Sequence, residues 1–245
     1  MTREPLLITG VSSGVGLSLA RHLSARFHVI GVARKLEVAR AALAGVANLD
    51  LHAAELGDPD GVEACLDAVV ERHGHPVYLI NNAGVNAPAE VEALEPAALA
   101  ASLQVNCLAP LAIMRRLLPA MRERGFGRVV NVTSGAPLNC FPGYAAYSAS
   151  KAALNALTVT AAREHEGSNV RINLMSPGPV RSNMAPDAPM DPSACHPTID
   201  YLLGPDAELP TGRFFWLGHE IPLFPDLAGV QWLHGTAPER FRRVL

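Results

Sequence analysis

Lysine is almost missing from this chain. Of 20 basic residues only Lys35 and Lys151 are lysines, and the rest are arginine. Cysteine is scarce, with four in 245 residues: Cys65, Cys107, Cys140 and Cys195. None forms a Cys-x-x-Cys pair, and no histidine stands at finger spacing from two of them. That excludes a disulfide framework and a structural zinc finger, and no metal is expected. The formal net charge is −3, so there is no basic excess and nucleic acid is not an expected partner. The start, Thr2-Arg3-Glu4-Pro5 leading into Leu6-Leu7-Ile8, lacks the anatomy of a signal peptide. Long apolar runs are also lacking, except for Pro96–Met114, which has 19 residues without a charge. Ser102, Gln104, Asn106 and Pro110 within it are poor lipid-facing residues, so a buried or subunit-facing helix is expected and not a membrane span. A reduced, cytoplasmic protein with no membrane partner is the expectation. The abundance of Ala, Arg, Gly and Pro points to a bacterial source.

What is present is enough for a sizeable core: 49% of the residues are hydrophobic. Short apolar runs alternate with longer helical patterns. Strands are predicted at 5–9, 28–32, 49–53, 77–80, 128–132 and 170–174. Helices are predicted at 15–26, 36–43, 61–72, 97–124 and 144–164. Strands that are apolar throughout and separated by helices imply a parallel sheet buried on both faces. The expected fold is therefore α/β, a Rossmann-type doubly wound sheet of about seven strands with helices on both faces. Nothing splits the chain, so one dinucleotide-binding domain is expected over 1–245. After Pro177, Pro and Gly become dense, and 183–209 reads as a loop-rich substrate lid. Residues 211–217 fit a final strand.

The first strand ends in Thr9-Gly10-Val11-Ser12-Ser13-Gly14-Val15-Gly16 and opens a helix. Glycines there permit close backbone approach to a pyrophosphate, and the helix start offers free N–H groups. Farther on, Tyr147 and Lys151 stand four residues apart early in a predicted helix, on one face. A phenol ordinarily titrates near ~10, and a nearby ammonium favours phenolate, making Tyr147 a usable acid or base. Ser134 lies 13 residues before Tyr147, at the end of the fifth strand. Ligands of open parallel sheets bind beyond the carboxyl ends of strands, where the glycine loop, Asn81-Asn82-Ala83-Gly84 and Ser134 converge.

This ordered set resembles the short-chain dehydrogenases/reductases, in their compact single-domain form. The matching residues are Thr9-Gly10-x-x-x-Gly14-x-Gly16, Asn81-Asn82-Ala83-Gly84, Asn106, Ser134, Tyr147-x-x-x-Lys151 and Pro177-Gly178. The resemblance covers roughly the first 185 residues. It implies that Tyr147 gives or takes the substrate proton and that Ser134 orients the carbonyl or alcohol. Lys151 would lower the Tyr147 pKa and bind the nicotinamide ribose, and Asn106 would hold a water in a proton relay. It also implies cofactor contacts at Gly10, Ser12, Ser13, Gly14, Val15, Gly16, Glu55, Leu56, Asn82, Ala83, Gly84, Pro177, Gly178, Val180 and Ser182.

The cofactor is expected to be NADP(H) in preference to NAD(H). Ala33 stands where an acid would accept from a ribose 2′-hydroxyl, and Arg34, with Lys35 beside it, suits a 2′-phosphate. Ser13 departs from the basic residue many NADP-dependent relatives carry before the second glycine. Tyr144, Met184 and His196 are candidate substrate contacts. The expected reaction is hydride transfer between nicotinamide and a ketone or secondary alcohol. An epimerase or dehydratase on the same fold, and a non-catalytic NADP(H)-binding redox sensor, are the alternatives. A homodimer or homotetramer is expected.

Overall fold

The computed structural model describes residues 3–225, 227–230 and 238–240. Trp232, in a tail whose sequence leads one to expect packing on the sheet or on a subunit, lies outside these residues. Eight strands run in chain order: β1 Pro5–Thr9, β2 His28–Ala33, β3 Leu49–Ala53, β4 Tyr78–Asn81, β5 Gly127–Val132, β6 Val170–Ser176, β7 Phe214–Trp216 and β8 His219–Ile221. The helices are α1 Gly14–Leu23, α2 Leu36–Ala42, α3 Pro59–His73, α4 Pro96–Leu103, α5 Ala109–Glu123, α6 Ala136–Asn139, α7 Ala145–Glu164 and α8 His196–Leu202. The strands form one sheet in the order β3-β2-β1-β4-β5-β6-β7-β8. All neighbours are parallel except β7 and β8. The winding reverses between β1 and β4, which opens a crevice at their carboxyl ends. Every residue of β5 and nearly all of β1 and β6 are buried, as expected of strands covered by helices on both faces.

Three features differ from the sequence expectation, each for a local reason. Among the described residues the sheet has eight strands, where about seven were expected, because the chain turns back after β7. Leu217 (φ 46°) and Gly218 (φ 81°) both adopt positive φ, the geometry of a two-residue hairpin turn whose twist matches the strands. The single long helix expected over 97–124 is broken by a π-turn at Gln104–Leu108. The segment Pro96–Glu123 is nevertheless long and apolar enough to cross a bilayer by length and composition, and 39% of its most apolar window is buried within this chain. The expected loop at 183–209 contains a 3-10 turn, Pro192–Cys195, that runs into α8. Pro192 and Pro197 sit at the first turns of these elements, where the missing N–H costs nothing, so they start helical turns there.

Buried polar ladders set α7 on the sheet. Asn81 Nδ2 donates to Asn131 Oδ1 (2.8 Å), and Asn131 Nδ2 donates to Thr158 Oγ1 (2.8 Å). Thr133 Oγ1 donates to Asn155 Oδ1 (2.6 Å). Each bond in such a dry setting is expensive to leave unmade, about 1–3 kcal/mol per orphaned group. Together they fix the register of α7 on β5, and with it the positions of Tyr147 and Lys151.

Candidate active site

A cleft of about 490 Å³ opens at the carboxyl ends of the strands. Its floor begins at Gly10, whose φ of +76° suits glycine, and a Cβ there would stand 2.9 Å from Ala83 Cα. Thr9 Oγ1 accepts from the Asn82 and Ala83 N–H groups (3.0 Å each), and Asn82 Nδ2 donates to Thr9 O (2.9 Å). These bonds clamp the ends of β1 and β4 together beneath the cleft. Most predicted residues line it: Gly10, Ser12, Ser13, Gly14, Val15, Arg34, Glu55, Leu56, Asn82, Ala83, Gly84, Ser134, Tyr144, Tyr147, Lys151, Pro177, Gly178, Val180, Ser182 and Met184.

Four predicted residues do not. Gly16 is buried in α1, where a Cβ would fall 2.2 Å from Gly10 O, so its role is close packing under the loop and not cofactor contact. Lys35 is exposed at the N-cap of α2 and stands outside the cleft lining. His196 is not at the substrate end, because α8 packs its ring on α1. Its Nε2 bonds Ser18 Oγ (2.9 Å) and the ring stacks on His22 at 4.1 Å between centroids. Asn106 is fully buried in the π-turn. Its Oδ1 accepts from Val85 N (2.8 Å), and its Nδ2 donates to Val85 O and Ser150 Oγ (2.9 Å each). Both amide protons are used within the protein, which holds the side chain in one orientation. Ser150 Oγ in turn donates to Tyr147 O (2.9 Å), which ties Asn106 to the first turn of α7.

Other lining residues carried no signal in the sequence. Val85 and Asn183 reach the cleft from loops, Val105 from the π-turn and Ser176 from the end of β6. Thr133 also lines it, but its hydroxyl is committed to Asn155.

The electrostatics are dominated by burial. Lys151 is buried, its Nζ donating to Val132 O (2.8 Å), and burial pulls its pKa down to about 8. Burial pushes the Tyr147 phenol above its ordinary value, the Ser134 hydroxyl beside it pulls the other way, and Tyr144 adds to the rise. The expected lowering by Lys151 does not prevail. The ammonium is 5.9 Å from the centre of the tyrosine ring and is directed at a backbone carbonyl. At the far end Arg34 pairs loosely with Glu55 (3.7 Å), both exposed.

The arrangement matches known proteins. The sequence profile of the short chain dehydrogenase family fits residues 4–192. The chain belongs to the short-chain dehydrogenases/reductases. It is 32% identical to 2-(R)-hydroxypropyl-CoM dehydrogenase of Xanthobacter autotrophicus over 190 residues, 73% of this chain and 75% of the relative. Among solved structures it resembles a single-substitution variant of actinorhodin polyketide ketoreductase with NADPH (28% identity, TM-score 0.81, covering 88% and 97% of the two chains). It also resembles a 4-hydroxyisoleucine dehydrogenase complexed with NADH (25% identity, TM-score 0.81, covering 87% and 96%). This short-chain dehydrogenase/reductase is an oxidoreductase acting on CH–OH groups of small molecules. Its cleft suits a nicotinamide dinucleotide: the backbone of the Gly10–Val15 turn lines it, and the volume lies in the range of cofactor sites.

Proposed function

We propose that this short-chain dehydrogenase/reductase is an NADP(H)-dependent ketone reductase or secondary-alcohol dehydrogenase with Tyr147 as the proton donor and acceptor. The observation that carries this reading is the meeting of Ser134 and Tyr147 at the cleft, with the buried ammonium of Lys151 beneath. The loop Gly10–Val15, Asn82–Gly84 and the segment Pro177–Ser182 would hold the cofactor, with Glu55 and Leu56 at its adenine end. When bound, the nicotinamide supplies or takes up a hydride.

This chain's residues manage the proton. The Ser134 and Tyr147 hydroxyls hold the substrate oxygen, and their hydrogen bonds strengthen as it becomes alkoxide-like. Burial keeps the phenol protonated at neutral pH, which suits proton donation in the reductive direction. Lys151 contributes positive charge beside the nicotinamide ribose. Asn106 acts by positioning: through Ser150 it fixes the backbone at Tyr147.

NADP(H) is favoured over NAD(H) because Ala33 offers no acceptor to a 2′-hydroxyl while Arg34 stands at the cleft edge. Arg34, held only by the loose Glu55 contact, would be available to form a charge-assisted pair with a 2′-phosphate. Met184 and Tyr144 are exposed on the lining and are the proposed substrate contacts. The half-covered apolar segment Pro96–Glu123 supports a homodimer or homotetramer, readable by native mass spectrometry.

Loss of NADPH absorbance against a panel of ketones, quinones and aldehydes tests the reading. Reduction of at least one class is expected. Tight NADPH binding with no reduction of any would favour a dinucleotide sensor instead.

A further inference from the structure

Four metal-ligating side chains gather at the β3 edge of the sheet, outside the cleft lining, with His52 two residues before Ala54 of that lining. His28 opens β2, Asp50 and His52 lie on β3, and His73 ends α3. Parallel pairing sets Ile30 opposite Asp50 and Val32 opposite His52. Because side chains alternate along a strand, positions 28, 50 and 52 share one face of the sheet. The last turn of α3 returns across that face and brings His73 to them.

The ligand atoms of His28, Asp50 and His73 all lie within 4.8 Å of one another. His28 Nε2 is 2.9 Å from Asp50 Oδ2, and His73 Nε2 is 4.0 Å from the same oxygen. His52 Nε2 is 3.3 Å from His73 Nε2. Two nitrogens on a tetrahedral ion with bonds of about 2.1 Å stand about 3.4 Å apart, so this last pair already has ligand spacing. Two imidazole nitrogens facing each other need something electropositive between them, a proton or a cation. Arg72 donates to Asp50 Oδ1 (2.9 Å), which orients the carboxylate and leaves Oδ2 turned to the histidines.

We propose that His28, Asp50, His52 and His73 form a binding site for a divalent transition metal of the zinc class, which fastens β2, β3 and the end of α3 together. Three imidazoles and one carboxylate suit zinc, nickel or copper, and not calcium or magnesium, which take oxygen cages. His28, Asp50 and His73 converge and His52 reaches His73, so a tetrahedral ion would take its fourth donor from His52 and, with no position left open, would be structural. The site lies on the sheet face under α3, not at the strand ends that form the cleft, and does not depend on the function proposed above.

The test titrates chelator-treated full-length protein with Zn2+ alone by calorimetry and follows the Tm. It also records the visible spectrum of the Co2+-loaded protein. One equivalent bound with a raised Tm and an intense tetrahedral cobalt spectrum is expected. Asp50→Asn and His28→Gln should each weaken Zn2+ binding at least tenfold and abolish the Tm rise. His22→Gln, in the separate His22/His196/Asp200 cluster, should bind as wild type. No stoichiometric binding, a weak octahedral cobalt spectrum, or unchanged affinity in both site variants would overturn the proposal. If the variants fail to fold, the wild-type cobalt spectrum decides alone.

Discussion

The cleft and the β3 edge both collect polar side chains in a largely apolar sheet, but by different routes. In the cleft each group follows the end of a strand or opens the next helix, so the groups appear in chain order: Gly10, Asn82, Ser134, Tyr147, Pro177. At the β3 edge His28, Asp50, His52 and His73 have no motif in common. Only the pairing of β2 with β3 and the return of α3 bring them together. A site built on successive strand ends is written along the chain. A site built across strand register is hidden until the register is known.

The contrast can be broken most forcefully at Lys151. Its buried ammonium costs the fold about 3 kcal/mol at neutral pH, from the drop between 10.5 and about 8. The sign follows from protonation. Between pH 8 and 10.5 the unfolded chain binds more protons than the folded one, so this penalty is full below pH 8 and fades as pH rises through that window. Lys151→Met should therefore lower turnover at least a hundredfold while leaving the Tm at pH 7 unchanged or raised. A large fall in Tm would make Lys151 a structural residue.

The same group predicts a pH limb of about tenfold per unit. The kcat/KM for reduction should fall above an apparent pKa near 8 as Lys151 loses its proton, whereas a profile flat to pH 10 would remove its charge from the mechanism. Next in size, Arg34→Ala should raise the KM for NADPH about tenfold and leave that for NADH nearly unchanged, the loss of one charge-assisted contact. An unchanged NADPH/NADH ratio contradicts the 2′-phosphate assignment. Smallest is the control at the other region: Asp50→Asn should change metal-free turnover less than twofold. A larger change would couple the two sites.

The apolar strands and the order of motifs were legible because burial on both faces and strand-end chemistry leave local marks. The π-turn was marked only by Pro110, which has no N–H to return to the Asn106 carbonyl four residues back. The partners that hold Asn106 there, the Val85 backbone and Ser150 on α7, are distant in sequence. The prolines of 183–209 read as breakers, although Pro192 and Pro197 start helical turns. His196 looked like a substrate contact only because it lies in the lid. The turn at Leu217-Gly218 was missed because a leucine rarely takes positive φ. The expectation that Lys151 lowers the Tyr147 pKa rested on helical spacing and on the family resemblance. Spacing puts both on one face, but depth and the Val132 carbonyl decide where the charge acts.

Whether Tyr147 moves the substrate proton is tested most directly in Tyr147→Phe, by pairing NADPH binding, read by fluorescence, with single-turnover ketone reduction. Wild-type affinity for NADPH and reduction slowed by at least a hundredfold are expected. Single-turnover reduction at the wild-type rate would contradict the assignment.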